Sequence, residues 1–241
     1  MTEILFLGLL TLIASAVGTA TGFGTSTIMI PVLSLWLPLP VALLFVGIIH
    51  LFGDVWKILL FKKGLDWKLV LGFGIPGVVA SYLGASMSFY ATGVEPKRIL
   101  GGFLAAYVVF LLTRRRWVLP KTPATAVSGG LLSGACAGFF GVGGAVRGAV
   151  LMAFDLPRDV YIFTSGVIAL FIDITRVSRY LAGPTQLTGS ALYALMLCVP
   201  ISFAGAYLAK RTLTKIPQRS FRTFVAIFLA LIAIKLLLWP Q

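Results

Sequence analysis

Residues 138–148 read Gly138-Phe139-Phe140-Gly141-Val142-Gly143-Gly144-Ala145-Val146-Arg147-Gly148, five glycines and one arginine inside an apolar segment. A matching stretch lies near the start of the chain, Thr21 to Pro31, TGFGTSTIMIP. In lipid every backbone N–H and C=O needs a partner, so a glycine cluster within an apolar segment predicts a broken helix. Such a break is tolerated only where protein or a water-filled cavity surrounds it. Two breaks at corresponding places in the two halves of a membrane protein point to a transporter's substrate site. The pattern reads as a small membrane carrier for an anion.

Composition supports the membrane half of that reading. The chain is 59% hydrophobic and only 11% charged, with a mean hydropathy of +1.01, whereas a soluble domain carries about 25% charged residues. The 241 residues allow at most about ten helical spans of roughly 20 residues, with little left for a soluble domain. The net charge of +13 does not indicate nucleic acid, because the basic residues sit in short loops between apolar segments, as cytoplasmic loops do. The two cysteines, Cys136 and Cys198, both lie in apolar segments and form neither a disulfide framework nor a metal-ligand spacing. The start, Met1-Thr2-Glu3-Ile4, lacks a basic leader region, so a cleaved signal peptide is not expected.

The apolar segments fall in two similar sets. In the first half they run over about 4–20, 23–37, 41–61, 69–91 and 99–112, and in the second over about 124–140, 144–154, 160–181, 187–209 and 224–239. Segments 2 and 7 are too short to cross a ~30 Å hydrocarbon core at 1.5 Å per residue. They are expected to form broken or re-entrant pairs with segments 1 and 6. Segment 4 has Pro76, where a kink is expected, and many small residues (Gly74, Gly77, Ala80, Ser81, Gly84, Ala85, Ser88), which suits close helix packing.

A repeat is visible residue by residue. Gly24 matches Gly143, Pro38 matches Pro157, Asp54 matches Asp173, Lys57 matches Arg176 and Gly64 matches Gly183, each pair separated by 119 residues. Pro76 and Pro200 then match at 124, after a short insertion. Five segments per half is an odd number, so the halves should be inverted. The charges agree: with the Lys62–Lys68 loop cytoplasmic, thirteen Lys and Arg fall on that side, in that loop, in Arg114–Lys121, at Arg158 and in Lys210–Arg222, against at most four on the other. Both termini are then periplasmic. The expected fold is an all-α polytopic membrane protein of two inverted repeats, 1–121 and 122–241, of about five segments each. Its broken or re-entrant Gly-rich segments should meet near the midplane. The sequence leaves open whether segments 1/2 and 6/7 cross fully.

Two halves that each open with a Gly-rich broken segment followed by an aspartate-bearing one resemble the sulfite exporter TauE/SafE family of membrane permeases. The residues that carry the resemblance are Gly22-Phe23-Gly24 with Pro31, and Gly138, Gly141, Gly143 and Gly144. The family's usual first-half motif has a fuller glycine run, and here Thr25, Ser26 and Thr27 occupy that place. The resemblance implies secondary transport of small sulfur-containing anions, such as sulfite or organosulfonates, across the inner membrane of a bacterium. It implies an anion and the lipid bilayer as partners, with a homo-oligomer left open, and no enzymatic activity.

Candidate substrate-binding residues are Gly22, Gly24, Thr25, Ser26, Gly141, Gly143, Gly144 and Arg147. Broken helices expose N–H groups whose positive dipole ends favour an anion, and Thr and Ser hydroxyls add donors. The bland reading of the glycines is packing through small residues. Arg147 would grip an oxyanion as a fork, since an arginine at depth costs about 2.5–3.5 kcal/mol on insertion scales; the bland reading is a snorkelling side chain. Asp54 with Lys57, and Asp173 with Arg176, stand at i, i+3 and share a helix face. They are either structural ion pairs hidden in the bundle or a proton-coupling device. His50, the single histidine, lies one turn before Asp54, as a proton relay or a buried structural residue; its repeat position, 169, is alanine. No cofactor or metal is expected. An integral membrane enzyme acting on a lipid or phosphate substrate is the alternative. It lacks HExxH and GxSxG motifs, and a purely anchoring subunit would not need polar residues at depth.

Overall fold

The structure, a computed structural model, describes residues 2–22, 24–62, 64–90, 93–113, 119–212 and 218–240. Phe23, Lys63, the basic run Arg114–Arg116, Trp117 and Lys215 lie outside the described residues, as do the side chains of Arg219 and Arg222. The described residues form ten α-helices and no strand: α1 (Thr2–Thr21), α2 (Ser26–Leu33), α3 (Leu39–Leu60), α4 (Trp67–Ser88), α5 (Glu95–Thr113), α6 (Pro123–Phe140), α7 (Gly143–Met152), α8 (Arg158–Leu181), α9 (Gly189–Thr212) and α10 (Gln218–Leu238). Seven of them, α1, α3, α4, α5, α6, α8 and α9, are long and apolar enough to cross a membrane.

The glycines decide where the helices break. Gly22 (φ +75°), Gly24 (φ +84°) and Gly141 (φ +71°) take the left-handed conformation that costs an L-residue with a Cβ roughly 1–2 kcal/mol. The backbone therefore turns out of α1 after 20 residues and out of α6 after 18. Gly24 N–H donates back to the Gly18 carbonyl at 3.2 Å, and Gly141 N–H to Ala137 at 3.0 Å, closing the two helix ends. The next helices are short, 8 residues for α2 and 10 for α7, about 12–15 Å at 1.5 Å per residue. The breaks lie where the sequence puts them. The limbs before them, α1 and α6, have full spanning length, and only α2 and α7 are half-length. Helix α4 continues through Pro76 and α9 through Pro200. Helix α5 begins four residues earlier than its apolar pattern, because Glu95 and Pro96 form its first turn.

Without water to drive apolar surfaces together, helices in lipid associate where small residues let backbones approach. The α4–α6 seam is such a place. A Cβ on Gly130 would strike the Phe73 carbonyl, on Gly134 the Gly77 carbonyl, and on Gly138 the Ser81 carbonyl. Gly205 of α9 meets the Leu12 carbonyl of α1 in the same way. Exchanging each helix with the one five places on converts α4·α6 into α9·α1 and α3·α9 into α8·α4, and leaves α3·α8, α5·α10 and α2·α7 unchanged; all are packed pairs. The first helix of each half thus packs against the fourth helix of the other.

Helices α3 and α8 cross antiparallel at the centre. Gly47 faces Val177 and Tyr180, Gly166 faces Lys57 and Ile58, and Gly64 faces Val160. The basic loops collect at one end: Lys121 pairs with Asp155 at 3.8 Å, and Lys62, Arg158 and Lys210 line one cavity. At the opposite end, Arg179 donates to Ser86 at 2.8 Å and stacks over Phe89 at 4.5 Å. Trp36, Trp67 and Trp239 are exposed near helix ends, where interfacial anchors belong.

Candidate functional site

The α3–α8 crossing buries a charged network. Asp54, Lys57, Asp173, Arg176 and His50 are each at most 2% exposed. The i, i+3 spacing closes as expected on each helix: Lys57 Nζ donates to Asp54 Oδ1 at 2.7 Å, and Arg176 Nε donates to Asp173 Oδ1 at 2.7 Å. Arg176 Nη2 adds a second bond to Asp173 Oδ2 at 3.1 Å, making the pair bidentate. His50 Nδ1 bonds Asp173 Oδ2 across the crossing and lies 3.6 Å from Asp54 Oδ2. It therefore touches both pairs. Two carboxylates and two cations cancel formally, which is what makes burial of the set affordable at all.

Two atoms of this network are left over. His50 Nε2 and Asp54 Oδ2 are buried without a hydrogen-bond partner among the described residues. His50 Nε2 points at the first glycine break: a Cβ on Gly24 would collide with it. The second break touches the same network from the other half, because a Cβ on Gly141 would come within 3.3 Å of Arg176 Nη1. Arg176 Nη1 reaches the Ala137 carbonyl at 3.5 Å, and Tyr180 Oη donates to the Gly138 carbonyl. The carbonyls at the end of α6 are thus held by α8 side chains. Both breaks and both ion pairs form one contiguous assembly.

By distance, His50, Asp54 and Asp173 could offer ligand atoms within 4.8 Å of one another. The two carboxylates are already engaged by Lys57 and Arg176, so a divalent cation would enter surroundings that hold two positive charges. The donor set fits a self-neutralised network better than a metal site.

Arg147 stands on α7, a turn past its first residues Gly143 and Gly144, and is 1% exposed, so it does not snorkel. Its Nε donates to Ser165 Oγ on α8 at 3.0 Å. Nη2 has no hydrogen-bond partner among the described residues, and Arg147 forms no ion pair among them. A buried guanidinium with an idle Nη2 is a positive charge held ready for an anion. A Cβ on Gly22 would meet the hydroxyl of Tyr161, which stands one turn before Ser165, the partner of Arg147, on α8. The first break therefore reaches Arg147's surroundings through Tyr161.

The remaining candidates are also buried. Thr25 and Ser26 are each 1% exposed, and Thr25 Oγ1 donates to Ser15 Oγ at 3.4 Å. Gly143 is fixed by Ser133, whose hydroxyl donates to its carbonyl at 2.9 Å. Sequence reasoning missed Ser133, Tyr161, Ser165 and Tyr180. Tyr180 carried a signal, one turn after Arg176 on the same face. Ser165 and Tyr161 carried none, since their roles arise from contact with other helices.

A family model described as sulfite exporter TauE/SafE matches residues 7–236. No match was found among curated proteins.

Proposed function

The chain belongs to the sulfite exporter TauE/SafE family of membrane permeases, and from that premise we propose that it is a secondary transporter of small sulfur-containing anions such as sulfite or organosulfonates. The observation that carries the proposal is Arg147: buried, held through Nε by Ser165, with Nη2 lacking a hydrogen-bond partner among the described residues. A sulfonate or sulfite offers two or three oxygens to such a fork. Ser165 positions the guanidinium, and the second glycine break lies about one turn before Arg147 on α7. We assign substrate binding to Gly22, Gly24, Thr25, Ser26, Gly141, Gly143, Gly144 and Arg147.

The His50–Asp54–Lys57–Asp173–Arg176 network is the proposed coupling element. It joins α3 of one half to α8 of the other, so a proton taken up there changes the attraction between the halves. The antiparallel crossing of α3 and α8 and the exchange pattern of helix pairs support inverted repeats, 1–121 and 122–241, that rock against each other. The collection of basic loops at one end supports that end as cytoplasmic, with both termini periplasmic.

The test is flux of sulfite and a small sulfonate into proteoliposomes, with and without an imposed proton gradient, for wild type, Arg147→Ala and Asp173→Asn. Saturable flux lost in Arg147→Ala is the expected result. Flux indifferent to the gradient removes the coupling role, and Arg147→Ala flux equal to wild type removes the binding role.

A further inference from the structure

At the basic end of the bundle, where α3 ends, α8 begins and α9 ends, lies a cavity of about 510 Å³. Three cations from three separate elements line it: Lys62, Arg158 and Lys210. All three are exposed, and one acid, Asp159, stands among them. The rest of the wall is Leu59, Leu60 and Phe61, the last turn of α3 and its cap. Leu59 is 49% exposed, and Lys210 Nζ lies 5.9 Å over the Phe61 ring. Helices α3, α8 and α9 are all of membrane-crossing length, so their ends mark the level of the lipid headgroups.

We propose that this cavity holds the headgroup of an anionic phospholipid, with its phosphate among Lys62, Arg158 and Lys210 and its glycerol and upper acyl chain against Leu59, Leu60 and Phe61. A site for a free anion would surround it with donors. This one combines three cations with an apolar wall, which matches an amphiphile. It is separate from Arg147 and from the α3–α8 network, none of whose charged residues lines it. Basic pockets between spanning helices on the cytoplasmic side are suited to anionic lipids, and each Lys or Arg near the surface adds attraction worth about fivefold in affinity.

The experiment uses the full chain in a neutral detergent. Its unfolding midpoint is followed while dioleoyl-phosphatidylglycerol, dioleoyl-phosphatidylcholine or inorganic phosphate is added, for wild type, Arg158→Gln, the triple variant Lys62→Ala/Arg158→Ala/Lys210→Ala, and Arg98→Ala at the opposite end as control. Expected is a saturable rise with phosphatidylglycerol alone, kept in Arg98→Ala, with binding weakened about fivefold in Arg158→Gln and lost in the triple variant. An equal rise with phosphatidylcholine, or full retention of the phosphatidylglycerol effect in Arg158→Gln, overturns the site. A rise with inorganic phosphate that Arg158→Gln weakens equally overturns the lipid assignment in favour of a free-anion site. Lipid counting by native mass spectrometry on wild type and Arg158→Gln gives the same decision if the triple variant does not fold. Retained phosphatidylglycerol must drop in Arg158→Gln, and equal retention refutes the proposal.

Discussion

Breaking the Asp173–Arg176 pair one partner at a time should destabilise the protein far more than removing both. In Asp173→Leu the Arg176 guanidinium, 1% exposed, loses its bonds at 2.7 and 3.1 Å. It keeps the Ala137 carbonyl at 3.5 Å, the His50 ring at 3.3 Å and the neighbouring Tyr180 hydroxyl. An uncompensated buried charge of this kind costs about 3–5 kcal/mol. In Arg176→Leu the Asp173 carboxylate retains His50 but no fixed cation, with a similar cost of about 3–5 kcal/mol. The double variant removes both charges and leaves Asp54 paired with Lys57. Replacement of a whole buried pair by apolar side chains is often close to neutral. The double variant should therefore lie within about 2 kcal/mol of wild type, and the coupling should exceed about 3 kcal/mol. Reversible unfolding in mixed detergent–SDS micelles, followed by far-UV circular dichroism, measures all four corners of the cycle. Additive losses, or single variants that each cost under about 1 kcal/mol, would show that the charges are reached by water and would refute the reasoning.

Other substitutions separate backbone, packing and binding effects. Gly24→Ala meets both a left-handed φ of +84° and the His50 ring, so it should cost clearly more than the roughly 1–2 kcal/mol of the conformation alone. Gly93→Ala, with φ +78° and nothing within 4 Å, should cost only that conformational part; equal unfolding shifts would contradict the contact. Gly134→Leu puts a side chain on the Gly77 carbonyl of α4 and should abolish folded protein on size-exclusion chromatography, whereas Gly102→Ala, with open space around its Cβ, should not. Arg147→Lys keeps the charge but loses the fork, so sulfonate flux should fall about tenfold or more through a raised KM; an unchanged KM would place Arg147 outside the site. Lys121→Ala removes an exposed pair with Asp155, 56% and 90% exposed, and should shift stability by less than about 1 kcal/mol.

The sequence by itself determined the class, the breaks and the pairs. Hydrophobic excess with few charges leaves only a membrane protein. Gly22, Gly24 and Gly141 announce turns because only glycine takes a left-handed φ cheaply. Asp54–Lys57 and Asp173–Arg176 follow from helical geometry, since i and i+3 lie on one face whatever the surroundings. The 119-residue offset between matching residues is legible in the sequence too. All of these are local or periodic, so they survive in one dimension. Tertiary structure decided what those pieces meet. That α1 packs on α9 and α4 on α6 depends on which backbones approach closely enough for Gly134 to lie on Gly77 and Gly205 on Leu12. That His50 joins the two ion pairs depends on α3 and α8 crossing at that height, 123 residues apart in sequence. That Arg147 has an idle Nη2 while Ser165 holds its Nε depends on α7 being half-length and docked on α8. Hydrogen bonds and ion pairs act over a few ångströms, and only the packed bundle fixes which groups come within that reach.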